Sequence, residues 1–106
     1  MPKFLFETTY TTDGIKGLMR DKAAARRQAN EKLLESVDGK LEAFYFAMGD
    51  HDVITIVDLP DAATAAAISF TGSATGLFRV TTTPLLTVEE VDRALAKKLT
   101  FRAPGQ

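Results

Sequence analysis

The fold is decided by residues 40–58, which read KLEAFYFAMGDHDVITIVD. Two runs of β-branched and aromatic residues, 41–48 and 53–58, lie on either side of Gly49-Asp50-His51-Asp52. This pattern predicts two strands joined by a tight hairpin, because glycine and aspartate suit turns and the flanking residues suit a pleated surface. The turn also holds the only histidine of the chain. A hairpin here would place that histidine between two carboxylates at the end of an apolar sheet.

The segment before this hairpin predicts one strand and one long helix. Residues 3–10 alternate between two faces, as a strand requires. Apolar residues then recur at helical spacing from Ile15 to Val37, with an irregularity expected near Arg20-Asp21. We expect this helix to end at Asp38-Gly39, with Gly39 in the left-handed conformation that glycine adopts without strain.

The segment after the hairpin predicts a helix, a strand and a short helix. Leu59-Pro60-Asp61 ends the second hairpin strand and begins an alanine-rich helix over 62–74. A strand is expected over 77–86, and Pro84 within it indicates a bulge or an edge position. Residues 87–90, Thr-Val-Glu-Glu, form a capping box that opens a third helix.

The resulting order of elements is β-α-β-β-α-β-α. Two split βαβ halves of this kind give a four-stranded antiparallel sheet with both main helices on one face. The sequence therefore predicts a ferredoxin-like α+β domain over residues 1–99, and 106 residues suffice for a core of its own. Residues 100–106 are expected to form a tail, either loose or laid on a partner.

The second face of this sheet is expected to be apolar. In the first hairpin strand, one parity holds Phe44 and Phe46 and the other holds Leu41, Ala43 and Tyr45. Two helices cover only one face, so the other would expose an apolar patch that soluble monomers rarely tolerate. We therefore predict a homodimer or higher homo-oligomer, packed sheet to sheet. The alternative is that the C-terminal helix folds over the second face.

Composition argues against several partners. Thirteen basic and fourteen acidic side chains give a formal charge of −1, and there is no basic stripe that would favour nucleic acid. No window approaches the about 20 apolar residues of a membrane span, and the N-terminus is too short in apolar length for a signal peptide. The absence of cysteine excludes disulfides and thiolate sites. A cytoplasmic protein with no membrane and no nucleic-acid partner is expected.

Several short motifs give the chain a resemblance to the GYD-domain family of small bacterial proteins. The order and spacing hold from about residue 3 to 91, and the motifs are Tyr10-Thr11-Thr12-Asp13-Gly14-Ile15-Lys16-Gly17-Leu18, Ala25-Arg26, Asp38-Gly39-Lys40-Leu41, Phe44-Tyr45, Gly49-Asp50-His51-Asp52-Val53, Leu59-Pro60-Asp61 and Gly76-Leu77-Phe78-Arg79. The resemblance implies the dimeric α/β-barrel class, in which two ferredoxin-like units pack sheet to sheet, but it implies no reaction. Histidine stands at position 51, where the family's name implies tyrosine, and Asp38 replaces the first of two glycines.

His51 and Asp52 are the candidate catalytic residues. An imidazole beside carboxylates can act as a general acid or base. In the alternative interpretation, Asp52 accepts hydrogen bonds from backbone amides and His51 is a partly exposed aromatic residue that fills space.

Four further residues are candidates for ligand binding together with His51. Tyr10, Arg26, Tyr45 and Arg79 could line a cavity between the sheet and the helices, with an arginine holding a carboxylate or other anion. Equally, either arginine could form a surface ion pair with a carboxylate, Glu7 or Glu42. One histidine with carboxylates does not provide a metal-ligand set, so no metal and no other cofactor is expected.

Three functions are compatible with these features. The first is a module that binds or senses a small molecule, such as an amino acid or an organic acid, because the hairpin is similar to the Gly-x-Tyr-Asp turn of leucine-responsive regulators. The second is a cofactor-free, monooxygenase-like enzyme of the dimeric α/β-barrel type. The third is a structural assembly subunit without a ligand.

Overall fold

The computed structural model describes all 106 residues and contains four strands and four helices. The elements in chain order are β1 (Lys3–Tyr10), α1 (Thr12–Asp21), α2 (Ala23–Glu35), β2 (Lys40–Phe46), β3 (Val53–Asp58), α3 (Ala62–Ala74), β4 (Phe78–Leu85) and α4 (Val88–Leu95).

The four strands form one antiparallel sheet in the order β2-β3-β1-β4. The two central strands, β1 and β3, come from different halves of the chain, and each half crosses over through helices before it returns to the sheet. This is the ferredoxin-like α+β arrangement that the order of elements predicts. Pro84 lies in β4, which is an edge strand. Proline has no N–H donor, and no strand lies on the outer side of β4 to need one.

The core lies between the sheet and the helices. Phe4 and Phe6 of β1 and Val57 of β3 are buried on the face that the helices cover, which we call the helix-covered face. Leu34 of α2 and Ala65 of α3 pack against them. Each large apolar side chain buried in this way contributes about 1.5–3 kcal/mol, so this cluster is the main source of stability.

The hairpin between β2 and β3 is looser than the sequence predicts. Strand β2 ends at Phe46 rather than at residue 48, and six residues connect it to Val53. Beyond the last ladder pair, the Asp52 carbonyl oxygen accepts from the Ala47 N–H at 2.8 Å, and the Asp52 N–H donates to the Thr8 carbonyl oxygen at 2.8 Å. The end of the hairpin is therefore tied to β1 as well as to β2.

A second correction concerns the faces of β2. The register shifts between Leu41 and Ala43, so that Leu41 lies opposite Val57 on the helix-covered face, together with Phe44 and Phe46. The simple alternation in the sequence grouped Leu41 with Ala43 and Tyr45, and that grouping is wrong. A bulge of this kind adds one residue to a strand. Every later residue of that strand then lies on the face opposite to the one that simple alternation predicts.

The long N-terminal helix is interrupted, as predicted, close to Arg20-Asp21. Lys22, with φ 73°, separates α1 from α2. The end of α2 differs from the prediction, because the left-handed residue is Asp38, with φ 59°, and not Gly39. Glycine is required at 39 for a different reason: a Cβ atom there would lie 2.9 Å from the Asp58 carbonyl oxygen and 2.8 Å from Leu59 Cδ2.

The C-terminal helix does not cover the second face of the sheet. None of the residues of α4 is buried, and Val88 and Leu95 are 74% and 78% exposed. The radius of gyration is 17.0 Å, against about 13 Å for a compact chain of this length. Residues 86–101, which we call the C-terminal arm, therefore project from the body of the molecule.

We predict that the helicity of α4 depends on its capping box, because an eight-residue helix without buried residues has little else to stabilise it. Glu90 accepts from the Thr87 N–H at 3.0 Å, and Thr87 Oγ1 accepts from the Glu90 N–H at 3.1 Å. The bonds to Thr87 also lower the pKa of Glu90. The stabilisation by Glu90 should be complete above about pH 5 and lost as the pH falls through the lowered pKa.

Circular dichroism of Thr87→Ala and Glu90→Ala measures this effect. Both variants should lose about two turns of helix at neutral pH. Acidification to pH 3 should lower the helicity of the wild type but cause little further loss in the variants, which already lack the box. Glu89→Ala is the matched control, since the Glu89 carboxylate takes no part in the box. Full helicity in both box variants would contradict the prediction.

Candidate functional site

A cavity of about 540 Å³ lies between the helix-covered face and the helices α1, α2 and α3. It exists because small residues occupy the positions where these helices would otherwise fill the space. Gly17 of α1, Ala29 of α2, and Ala67 and Gly72 of α3 are among the lining residues. The volume is within the range of about 300–1,000 Å³ that is typical of sites for small ligands.

The cavity is lined by apolar side chains and by four charged ones, Asp13, Arg20, Asp21 and Arg26. Phe6, Phe44 and Val80 contribute from the sheet, and more than half of the lining residues are hydrophobic. Tyr10 and Phe78 lie edge to face at one side, with ring centroids 6.1 Å apart and planes at 83°. This combination suits a ligand with an apolar body and a polar end.

The most distinctive polar group of the cavity is Arg26. Its side chain is half-buried, it lines the cavity, and it has no carboxylate within ion-pair distance. One turn further along α2, Asn30 also lines the cavity, and its Oδ1 atom is buried without a hydrogen-bond partner. Buried polar groups are normally paired, so the unpaired Asn30 Oδ1 beside Arg26 makes this part of the cavity the candidate for a polar ligand contact.

The surface ion pairs considered for the arginines do not form. Glu7 is 3.4 Å from His51 Nε2, and Glu42 is 3.3 Å from Lys3 Nζ. The expectation that Arg26 or Arg79 pairs with one of these carboxylates is therefore wrong. The guanidinium of Arg26 remains available to an anion in the cavity.

The predicted site residues are divided between two faces of the sheet. Tyr10 and Arg26 line the cavity. Tyr45 lies opposite Ile54, and Arg79 lies opposite Thr9, on the face without helices, which we call the open face. Tyr45 is 70% exposed.

His51 also belongs to the open face. Its Nδ1 atom is 3.1 Å from Thr9 Oγ1 and its Nε2 atom is 3.4 Å from Glu7 Oε2. Because β1 alternates, Glu7 and Thr9 lie on the side opposite to Phe6 and the cavity. A Glu-His-Thr chain could move a proton on the open face, but it has no access to a ligand in the cavity.

Asp52 bonds to the backbone of β1. Its Oδ2 atom accepts from the backbone N–H of Tyr10 at 2.8 Å, as the alternative interpretation of the turn predicts. The carboxylate that partners the imidazole of His51 is Glu7, which the sequence did not single out for that role. Asn30 was also missed, although its position four residues after Arg26 places the two on one helix face.

The open face carries a contiguous apolar surface across three strands. One row runs from Ala43 through Ile56 to Leu5, and the next runs from Tyr45 through Ile54 to Glu7. The open-face patch is defined here as Leu5, Ala43, Tyr45, Ile54 and Ile56.

Two polar clusters bound this patch. At one end Lys3 contacts Asp58 at 2.8 Å and Glu42, and the hydrogen bond to Asp58 raises the pKa of Lys3. At the other end is the His51–Glu7 pair. The open face is thus apolar in its centre and charged at its margins.

A second depression, of about 560 Å³, lies between α2 and the edge strand β2. It is lined mostly by charged and polar side chains, among them Arg27, Glu31 and Lys40. Arg27 and Glu31 pair with each other at 3.3 Å, so their charges are already compensated. We therefore regard the cavity beneath the helices as the candidate site.

The chain thus forms a small ferredoxin-like α+β domain with a cavity between the sheet and its helices. Residues 4–95 match the family model of the GYD domain, and the chain belongs to the GYD-domain family. Searches among curated proteins and among solved structures gave no significant match. None of the helices combines the length and the apolar character that crossing a bilayer requires, and no three side chains of His, Asp or Glu converge as metal ligands would.

Proposed function

We propose that this protein binds a small organic acid or an amino acid in the cavity beneath its helices. The single observation that carries the proposal is the half-buried guanidinium of Arg26, which has no carboxylate partner and lines a cavity together with apolar side chains. A guanidinium presents a planar fork of N–H donors that matches a carboxylate. Partial burial reduces competition from water and strengthens the charge-assisted bond.

The size and lining of the cavity support the same ligand class. Phe6, Phe44 and Phe78 can contact an apolar or aromatic body, while Arg26 holds the acidic end. A purely polar ligand would offer these rings no apolar surface and would leave them in contact with water. A neutral ligand would leave the guanidinium without its partner.

A binding experiment with two neighbouring arginines tests the proposal. Thermal-shift screening with amino acids and with aliphatic and aromatic acids should identify ligands that raise the melting temperature. In Arg26→Gln the affinity for these ligands should fall at least about tenfold, since the charged partner of the carboxylate is removed. Arg27→Gln is the matched control, because Arg27 lies outside the cavity and pairs with Glu31.

Two results would count against this function. The first is the absence of any stabilising ligand across a broad panel. The second is equal affinity in Arg26→Gln and Arg27→Gln, which would show that the guanidinium is not a ligand contact.

We further propose that two copies associate through the open face. The open-face patch supports this assembly, because Ile54, Ile56 and Leu5 form an apolar centre on the face opposite to the helices. Sheet-to-sheet packing about a twofold axis would place each patch against its copy. The polar clusters around Lys3 and His51 would then lie at the rim of the interface.

A further inference from the structure

The charged side chains that line the cavity are of both signs. Asp13, Arg20 and Asp21 line it from α1, and Arg26 lines it from α2. None of these four takes part in an ion pair with another side chain. Their charges therefore cancel in sum but are not compensated by contact. A ligand with a single negative charge would be attracted by the arginines and also repelled by the aspartates.

Arg26 lies at the junction of α1 and α2, next to two oxygen atoms that lack partners. Asp21 is the last residue of α1, and only Lys22 separates it from α2. The Arg26 N–H donates to the Lys22 carbonyl oxygen at 3.4 Å, so the start of α2 holds Arg26 close to this junction. One turn further along α2 is Asn30, whose Oδ1 atom is buried without a hydrogen-bond partner. A carboxylate and an amide oxygen, both unpaired, thus accompany the guanidinium.

These two acceptors require a hydrogen-bond donor from the ligand. An ammonium group offers three N–H donors together with a positive charge. Side chains four residues apart on a helix have Cβ atoms about 5–6 Å apart, so Arg26 and Asn30 can contact neighbouring groups of one ligand. Because no bond within the protein holds Asn30 Oδ1 in place, rotation of the amide about χ2 can direct this oxygen towards a donor in the cavity. The arrangement therefore suits a ligand with a carboxylate and an ammonium group side by side.

We propose that the ligand of the cavity is an α-amino acid with a large apolar side chain. Its carboxylate binds Arg26, and its ammonium group donates to the Asp21 carboxylate and to Asn30 Oδ1. Its side chain packs against Phe6 and Phe44, which line the same cavity. This inference rests on the proposed function of the cavity and narrows it, because an organic acid without an amino group leaves both acceptors unpaired.

Pairs of ligands that differ only in the amino group test the inference. Phenylalanine is compared with hydrocinnamate, leucine with isocaproate, and norleucine with hexanoate, by isothermal titration calorimetry of the full chain. At least one of these amino acids should bind at least about tenfold more tightly than the acid that lacks its amino group, since a site with polar groups left unpaired discriminates strongly.

Two variants of the full chain test which residues hold the ammonium group. Asn30→Leu and Asp21→Asn should each weaken the binding of the best amino acid at least about fivefold, without weakening the binding of the matching acid. Arg26→Gln should instead weaken both, because both ligands carry the carboxylate. Asp92→Asn is the matched control for the lost charge, since Asp92 lies on α4, away from the cavity.

The melting temperature of the free protein separates binding from folding in this experiment. Leucine has nearly the shape of asparagine, and Asn30→Leu removes an oxygen that has no partner. Replacement of an unpaired polar group by an apolar one of similar shape is neutral or stabilising, so the melting temperature should be unchanged or higher. A loss of amino-acid binding in this variant is then not a loss of structure.

Three results would overturn the inference: acids that bind as tightly as the matching amino acids, unchanged amino-acid affinity in both Asn30→Leu and Asp21→Asn, or no binding of any of the three amino acids. The first two leave the proposed function intact, because a carboxylate still binds Arg26. The third contradicts the proposed function as well only if the broad panel of acids gives no ligand either.

Discussion

Replacing Gly14 with alanine should destabilise the protein by about 3 kcal/mol and lower its melting temperature by about 10–20 °C. Gly14 is buried in α1, and a Cβ atom there would overlap the carbonyl oxygen of Leu77 and approach Tyr10 Cδ1 to 2.9 Å. The carbonyl oxygen of Leu77 cannot easily move, because it accepts from the Thr11 N–H at 2.9 Å and from the Thr11 hydroxyl at 3.1 Å.

Gly17→Ala is the matched control for this substitution. It lies in the same helix, and the nearest atom to a Cβ at this position is Arg20 Nη2, at 3.9 Å. Alanine favours a helix by up to about 1 kcal/mol over glycine, so Gly17→Ala should be neutral or slightly stabilising. Thermal denaturation of the two variants measures the contrast, and equal midpoints would refute the steric explanation.

Replacing Ile56 with aspartate should abolish association through the open face. Ile56 lies between Leu5 and Ala43 at the centre of the open-face patch. In a twofold interface the substitution buries two unpaired carboxylates, so the dissociation constant should rise at least a hundredfold, about 2.7 kcal/mol. Sedimentation velocity should show the loss of the dimer, while circular dichroism should show a folded chain.

The control for this variant is Ala63→Asp, on the exposed first turn of α3, which adds the same charge on the other side of the molecule. It should leave the oligomeric state unchanged. If Ile56→Asp remains a dimer at micromolar concentration, the open face is not the interface. If it unfolds, the milder Tyr45→Asp, at a residue that is 70% exposed, tests the same patch.

Most of the fold could be predicted from periodicity alone. Strand β1 alternates without a defect, and the order of strands and helices leaves few arrangements other than the ferredoxin-like sheet. The bulge after Leu41 could not be predicted, because it depends on the register with β3 and leaves no mark in composition. Asp38 was also missed, since aspartate adopts the left-handed conformation much less readily than the glycine that follows it.

The candidate site was predicted only in part, for a related reason. Tyr10 and Arg26 were correctly expected at a cavity. Tyr45 and Arg79 were expected there too, but they lie on the open face, as His51 does. The signal for Arg79 was present, because Phe78 and Val80 on either side of it are the apolar residues of β4 and must face the helices.

The two outer strands are poor templates for a further strand. In β2 the ladder is interrupted between Leu41 and Ala43, and β4 carries Pro84, which offers no amide hydrogen. Neither border can continue the sheet as a regular template for an incoming strand. Growth into fibrils by the addition of strands at these edges is therefore disfavoured. Contact between the faces of two sheets remains as the regular way for copies to associate.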